Sequence, residues 1–194
     1  VESEQVRHGP SWDQLFEFAV GQAGLFTTKQ AAEAGYSPQL LVHYVRIKRI
    51  VRVQRGVYRL VHYPLAEDEE YVTLWLWSEH QGVFSHVTAL SMQGLSDVLP
   101  SRFHMTLPLA WKKRRLRVPS NVILHYANLP STDRTWWGSV PVTSHRRTLS
   151  DCAASHLSPE FLLQAYYQAL HRGLVTRADI PDVEQALKPY LEPA

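Results

Sequence analysis

Apolar residues recur at three- and four-residue spacing through Trp12, Leu15, Phe16, Ala19 and Val20, which predicts a helix with one inward stripe. Ser11 precedes it as N-cap, and Gly21 and Gly24 mark its end. Leu25 to Gly35 reads as a two-turn helix, a threonine cap followed by an Ala-rich run and a glycine stop. Ser37-Pro38 then opens a third helix to about Lys48, with proline at the first position, where a missing N–H costs nothing. Leu41, Tyr44 and Val45 share one of its faces, and Gln39, Leu40, Val42, His43 and Arg46 fall on or beside the other. Ile50 to Gln54 and Val57 to Leu60 are two strand-like runs joined by Arg55-Gly56, a hairpin with glycine where positive φ is needed.

The pattern changes after this hairpin. Leu65 to Glu79 is predicted helical, its acidic start at Glu67 to Glu70 suiting a helix N-terminus. Ser85 to Leu95 reads as a short helix ending at Gly94. Phe103 to Pro108 alternates apolar and polar, as a strand does; Val122 to Tyr126 and Val140 to Thr143 are two more strands. Helices are predicted over His145–Ser155, Pro159–His171 and Asp182–Leu187. The fold class is α+β: an N-terminal winged helix-turn-helix over residues 1–62, then a mixed α/β domain over 63–194.

Helix, short helix, tight glycine turn, third helix and basic hairpin follow one another in the order of a winged helix-turn-helix. The duplex major groove admits such a helix and offers base edges to it. Gln39, His43 and Arg46 are the candidate base readers, and Leu40 or Val42 could meet a thymine methyl. Lys48, Arg49, Arg52, Arg55 and Arg59 sit where helix end and wing would meet phosphates. Thr28, Lys29 and Ser37 complete the candidate DNA-binding set.

Charge sharpens this picture. The formal net charge is only +2, but Lys29 to His62 carries Lys29, Arg46, Lys48, Arg49, Arg52, Arg55 and Arg59 against the single acid Glu33. A second basic run, Lys112, Lys113, Arg114, Arg115 and Arg117, lies between Pro108 and Pro119. It is either a solvated loop between strands or a second anion-facing surface.

The chemistry of enzymes is poorly represented. Ten histidines invite a metal, yet none forms a short metal-binding motif and the lone Cys152 removes the usual zinc sets, so no metal ligand, cofactor or catalytic residue is expected. No phosphate loop or nucleophile elbow occurs. Thr148 to Asp151 reads as a helix-start element whose side chains satisfy free N–H groups. Trp136-Trp137 and Tyr166-Tyr167 could stack on bases, but packing is the favoured role. Nothing resembles a membrane span, Val1 to Pro10 is too polar for a secretory signal, and a single cysteine fits a reducing, cytoplasmic setting.

Several segments together resemble the AbiEi antitoxin family. These are Gly24 to Ala32, Gly35-Tyr36-Ser37 and Arg52 to Leu60 in the first domain. In the second they are His86 to Leu90 with Gly94 to Asp97, Val142 to Asp151, and Leu170 to Thr176. The resemblance runs from about Trp12 to Leu187. It implies an antitoxin of a type IV toxin–antitoxin system. Its winged helix would repress its own operon at inverted repeats in the promoter, and its partner would be a nucleotidyltransferase-like toxin. Some members end in a nuclease-like domain; no Glu-x-Lys signature is present here, so that activity is not expected. The competing reading is an interaction module that restrains a toxin by direct contact without binding DNA.

Overall fold

The computed structural model describes residues 9–191, so most of the polar stretch Val1 to Pro10 lies outside the described residues. Two units divide the chain, one ending at His80 and the other beginning at Gln81.

The first unit opens with α1 (Trp12–Val20), capped by Ser11, whose side chain accepts from the Gln14 N–H. The short strand β1 (Leu25–Thr27) follows, then α2 (Thr28–Glu33), α3 (Pro38–Arg46), β2 (Ile50–Gln54) and β3 (Val57–Leu60). α2 carries a complete capping box: the Gln30 N–H donates to Thr27 Oγ1, and the Thr27 N–H donates to Gln30 Oε1. The strand β1 was not apparent in the sequence, where its residues read as the approach to a helix. It pairs antiparallel with β3, so the hairpin grows into a three-stranded sheet ordered β1-β3-β2.

Strand alternation assigns the two faces of this sheet. Phe26, Tyr58, Ile50 and Leu60 point to one side and join Leu15, Ala19, Ala31, Ala34, Tyr36 and Leu41 in the core beneath α1 to α3. Leu25, Val57 and Arg59 point to the other. That side is covered by α4 (Glu69–Trp77), which packs on β1 and β3. Val72, Leu74 and Leu76 of α4 are buried. The helix expected within the second domain thus belongs, by its packing, to the first unit.

Among the described residues the second unit holds a mixed five-stranded sheet and four α-helices. β4 (Val83–Phe84) leads into α5 (His86–Met92), then β5 (Phe103–Leu107), β6 (Val122–Tyr126), β7 (Arg134–Trp137) and β8 (Val140–Thr143). α6 (His145–Ala154), α7 (Pro159–His171) and α8 (Pro181–Leu187) complete it. The sheet order is β6-β5-β4-β8-β7, with β5/β6 and β4/β8 parallel and β4/β5 and β7/β8 antiparallel. β4 and β7 were not foreseen. The core is built by Leu90, Leu95, Leu149, Cys152, Leu162, Tyr166, Ala169, Ile180, Val183 and Leu187. Burial pushes the Cys152 thiol up to about 12, so it behaves as a small apolar group. Among the described residues no helix is long and apolar enough to cross a membrane.

One backbone position controls how α1 hands over to β1. Gly24 has φ +78, and its carbonyl accepts from the Leu60 N–H at 3.0 Å. A Cβ built there would lie 2.4 Å from the ring of Tyr63. Gly24→Ala therefore combines left-handed strain with overpacking and should cost about 2–4 kcal/mol, read as a lower urea midpoint at unchanged m-value. A midpoint equal to the wild type would show that Tyr63 moves aside freely.

Candidate nucleic-acid interface

The third helix is fixed from inside and bare outside. Ser37 Oγ accepts from the Leu40 N–H at 3.2 Å, and Pro38 occupies the first turn. Leu41 is buried in the core, while Tyr44 stacks on Trp12 at 5.9 Å and meets Tyr36 edge-on at 5.4 Å. Burial beside Tyr44 pushes the Tyr36 phenol up to about 12, a packing group at neutral pH. With that side locked, Gln39, Val42, His43 and Arg46 form an exposed strip at i, i+3, i+4 and i+7 spacing. Leu40 is half-buried and packs against the core, which leaves Val42, 60% exposed, as the apolar member of the strip.

The wing is tied to the helices by one carbonyl. Gly56, at φ +81 in the turn between β2 and β3, accepts through its oxygen from the Thr28 N–H at 2.9 Å and from Thr28 Oγ1 at 3.3 Å. Thr28 is thus a positioning group for the hairpin, and Ser37 a helix cap. Arg52 and Arg55 are exposed, as are Lys29, Lys48 and Arg49. Lys48, at φ +57, turns the chain from α3 into β2. Arg49 leans over Trp12 at 5.8 Å and lines a cleft with Phe16, Leu60, His62 and Tyr63. The result is an exposed strip on α3 and an exposed basic hairpin, the hairpin tip tied to the start of α2 by Thr28 and Gly56.

This is the arrangement the family comparison speaks to. Residues 13–61 match the model of a family described as a transcriptional regulator, AbiEi antitoxin. Over that segment the chain is AbiEi-like. The family is described as regulatory, and the match covers that segment alone. Residues 62–194 lie outside it. No curated protein matches the chain. Among solved structures, the RV2827C protein from Mycobacterium tuberculosis is similar at 17% identity and a TM-score of 0.46, covering 97% of this chain and 84% of that one.

Not every residue of the expected set lies on this exposed surface. Arg59 lies on the central strand β3, on the face covered by α4, and its Nε is 3.5 Å from Glu69 Oε1. Both side chains are about four-fifths buried, at 19% and 21% exposure. Arg59 is therefore a structural ion pair, set apart from the exposed arginines Arg52 and Arg55.

The second basic run lies in the connection from β5 to β6. Parallel strands cannot be joined by a tight turn, so residues 108–121 must cross back along the sheet. The segment begins with a 3-10 turn, Leu109–Lys113, rather than an irregular loop. Lys112, Lys113, Arg114, Arg115 and Arg117 are all exposed, and the Arg114 guanidinium stacks 3.7 Å over Trp111. Of the paired aromatics, Tyr166 is core and donates to Glu184 at 2.6 Å, whereas Trp136 is 64% exposed on the edge strand β7.

Two sequence readings of the second unit change. The cap of α6 is Ser144, not the Thr148 to Asp151 element. Thr148 is buried and meets Thr143 Oγ1 at 2.7 Å, and Asp151 sits in the body of the helix. Short motifs gave no metal ligands, but His86, His104 and His125 come together, with one ring nitrogen from each within 4.8 Å of the others. They are 18 and 21 residues apart in sequence, so spacing could not show it. The one available signal was the alternation in β5 and β6, which puts His104 and His125 on a shared face.

Arg59→Gln should separate fold from binding. Removing one partner of this pair leaves Glu69 part-buried and alone, which should lower unfolding stability by about 1–3 kcal/mol. Duplex affinity of the folded fraction should stay within about twofold of wild type, measured by fluorescence anisotropy below the melting range. A selective loss of duplex affinity would return Arg59 to the interface.

Proposed function

We propose that the first unit binds double-stranded DNA, and that the chain is the antitoxin and autorepressor of a type IV toxin–antitoxin operon. Its targets would be inverted repeats in its own promoter, and its counterpart a nucleotidyltransferase-like toxin. The observation that carries the reading is the exposed strip Gln39, Val42, His43 and Arg46 beside the wing arginines Arg52 and Arg55, all within the AbiEi-like segment. Amide and imidazole groups can pair with base edges in the major groove, and a bidentate contact contributes about 1–3 kcal/mol of discrimination. Exposed guanidinium groups on the hairpin hold phosphates and carry no sequence information. Chemistry on the DNA is not part of the proposal.

Binding to the chain's own upstream region tests this directly. The Arg52→Ala/Arg55→Ala variant should weaken all duplexes by a similar factor and lower the slope of log affinity against log salt by about 2. The Gln39→Ala/His43→Ala variant should instead narrow the gap between operator and random duplex by about 1–3 kcal/mol while leaving the salt slope in place. An absence of duplex binding by wild-type protein, together with rescue of growth on co-expression with the neighbouring gene product, would replace repression by a contact-only antitoxin.

A further inference from the structure

Four elements of the second unit converge on one polar cluster. His86 begins α5, His104 and His125 sit on the adjacent parallel strands β5 and β6, and Asp151 comes from α6. His104 Nδ1 lies 3.0 Å from His125 Nε2, the His86 and His125 rings stack at 3.6 Å, and the His86 and His104 centroids are 5.7 Å apart.

Each imidazole is kept in its neutral, lone-pair-bearing form. Burial, then the neighbouring His125, His104 and Arg147, lower His86 to about 3; burial and His104 lower His125 to about 4. Burial and Arg102 lower His104 as well. Neutral imidazole is the form that ligates metals.

The surroundings of His86 are those of an oriented ligand. Its Nδ1 lies 2.9 Å from Ser85 Oγ, which accepts from Thr106 Oγ1 at 2.8 Å, and 4.0 Å from Asp151 Oδ2. Asp151 Oδ1 is held by Arg147 Nε at 2.8 Å, but Oδ2 is buried with no hydrogen-bond partner among the described residues. With Nδ1 engaged on that side, Nε2 is the nitrogen left to a ligand. Metal-bound histidines characteristically donate their other N–H to a carboxylate. His86 also holds φ +53, a strained value for a residue with a side chain.

We propose that His86, His104 and His125 bind one divalent transition-metal cation of the zinc class, with Asp151 orienting His86 and water completing the coordination. A tetrahedral zinc centre with bonds of about 2.0–2.1 Å separates its ligand nitrogens by about 3.3 Å. The facing nitrogens of His104 and His125, at 3.0 Å, need to open by only a few tenths of an ångström, while the His86 ring, stacked on His125, turns to bring Nε2 to the same point. The cation replaces the proton those two rings share, and its charge makes His86 a stronger donor towards the unpartnered oxygen of Asp151. Three imidazoles without thiolate select zinc, cobalt or nickel over magnesium or calcium. The site joins α5, β5 and β6 in the unit outside the AbiEi match, so it stands or falls independently of DNA binding.

The test uses the full chain freed of any histidine tag and stripped with chelator. Titrated Zn²⁺ should bind one equivalent, raise the melting temperature until that point and not beyond, and be displaced by chelator. Co²⁺ should give the visible absorption of a four-coordinate nitrogen-ligated centre. His104→Gln/His125→Gln should lose affinity by at least a hundredfold, while His156→Ala, an exposed histidine outside the cluster, should bind as wild type. Absence of both the one-equivalent transition and the Co²⁺ bands in wild-type protein overturns the site, whether or not the double variant folds. Equal uptake by the double variant and wild type also overturns it.

Discussion

The first unit depends on a strand buried from both sides. β3 is central in its sheet, and its residues alternate between the core under α1 to α3 and the underside against α4. A hairpin alone would leave Leu25 and Val57 against water; α4 covers them and leaves each almost fully buried. Apolar area removed from water is the main stabilising term in so small a unit. With both faces of the sheet covered by helices, the outer strip of α3 and the hairpin tip are among the features left exposed. The surface proposed for DNA is what this packing leaves outside, and Thr28 ties the hairpin tip to α2 through the Gly56 carbonyl.

This explains which features were legible in the sequence. α1 and α3 each present one face to the core, so their apolar residues repeat at helical spacing, and Ser11 and Ser37 announce their starts. The Arg55-Gly56 turn was legible because only glycine sits there without strain. β1 was not: Leu25 and Phe26 face opposite sides, yet both are buried, so the alternation that reveals a strand disappears. α4 kept its helical signature but not its address. Its burial runs through Val72, Thr73, Leu74 and Leu76 without a polar stripe, and nothing in such a helix says which sheet it will cover.

The histidine cluster was hidden for the same reason. Alternation in Phe103 to Pro108 shows a strand, and in a sheet with one wet face its polar residues would meet solvent. Here α5 packs against β5, and Thr106 is buried alongside Met105 and Leu107. A polar residue in a strand covered by a helix points inward as readily as an apolar one. Recognising the cluster required knowing that β5 and β6 are parallel neighbours, because that pairing brings His104 next to His125. The same parallel pairing forces the long crossover that carries the second basic run.

The two units place their polar groups in opposite ways, and each placement carries a physical implication. In the first, Gln39, Arg46, Arg52 and Arg55 lie on the outside, where hydration makes them inexpensive to keep and free to exchange water for phosphate or base edges. In the second, three imidazoles and a carboxylate oxygen lie among buried side chains, where leucine or phenylalanine would contribute more to stability. The rings are neutral with lowered proton affinity, and Asp151 Oδ2 has no hydrogen-bond partner among the described residues. Violations of local packing logic concentrate where a ligand later supplies the missing interaction. A cation answers both deficits at once, because it accepts the lone pairs of the rings and polarises His86 towards Asp151.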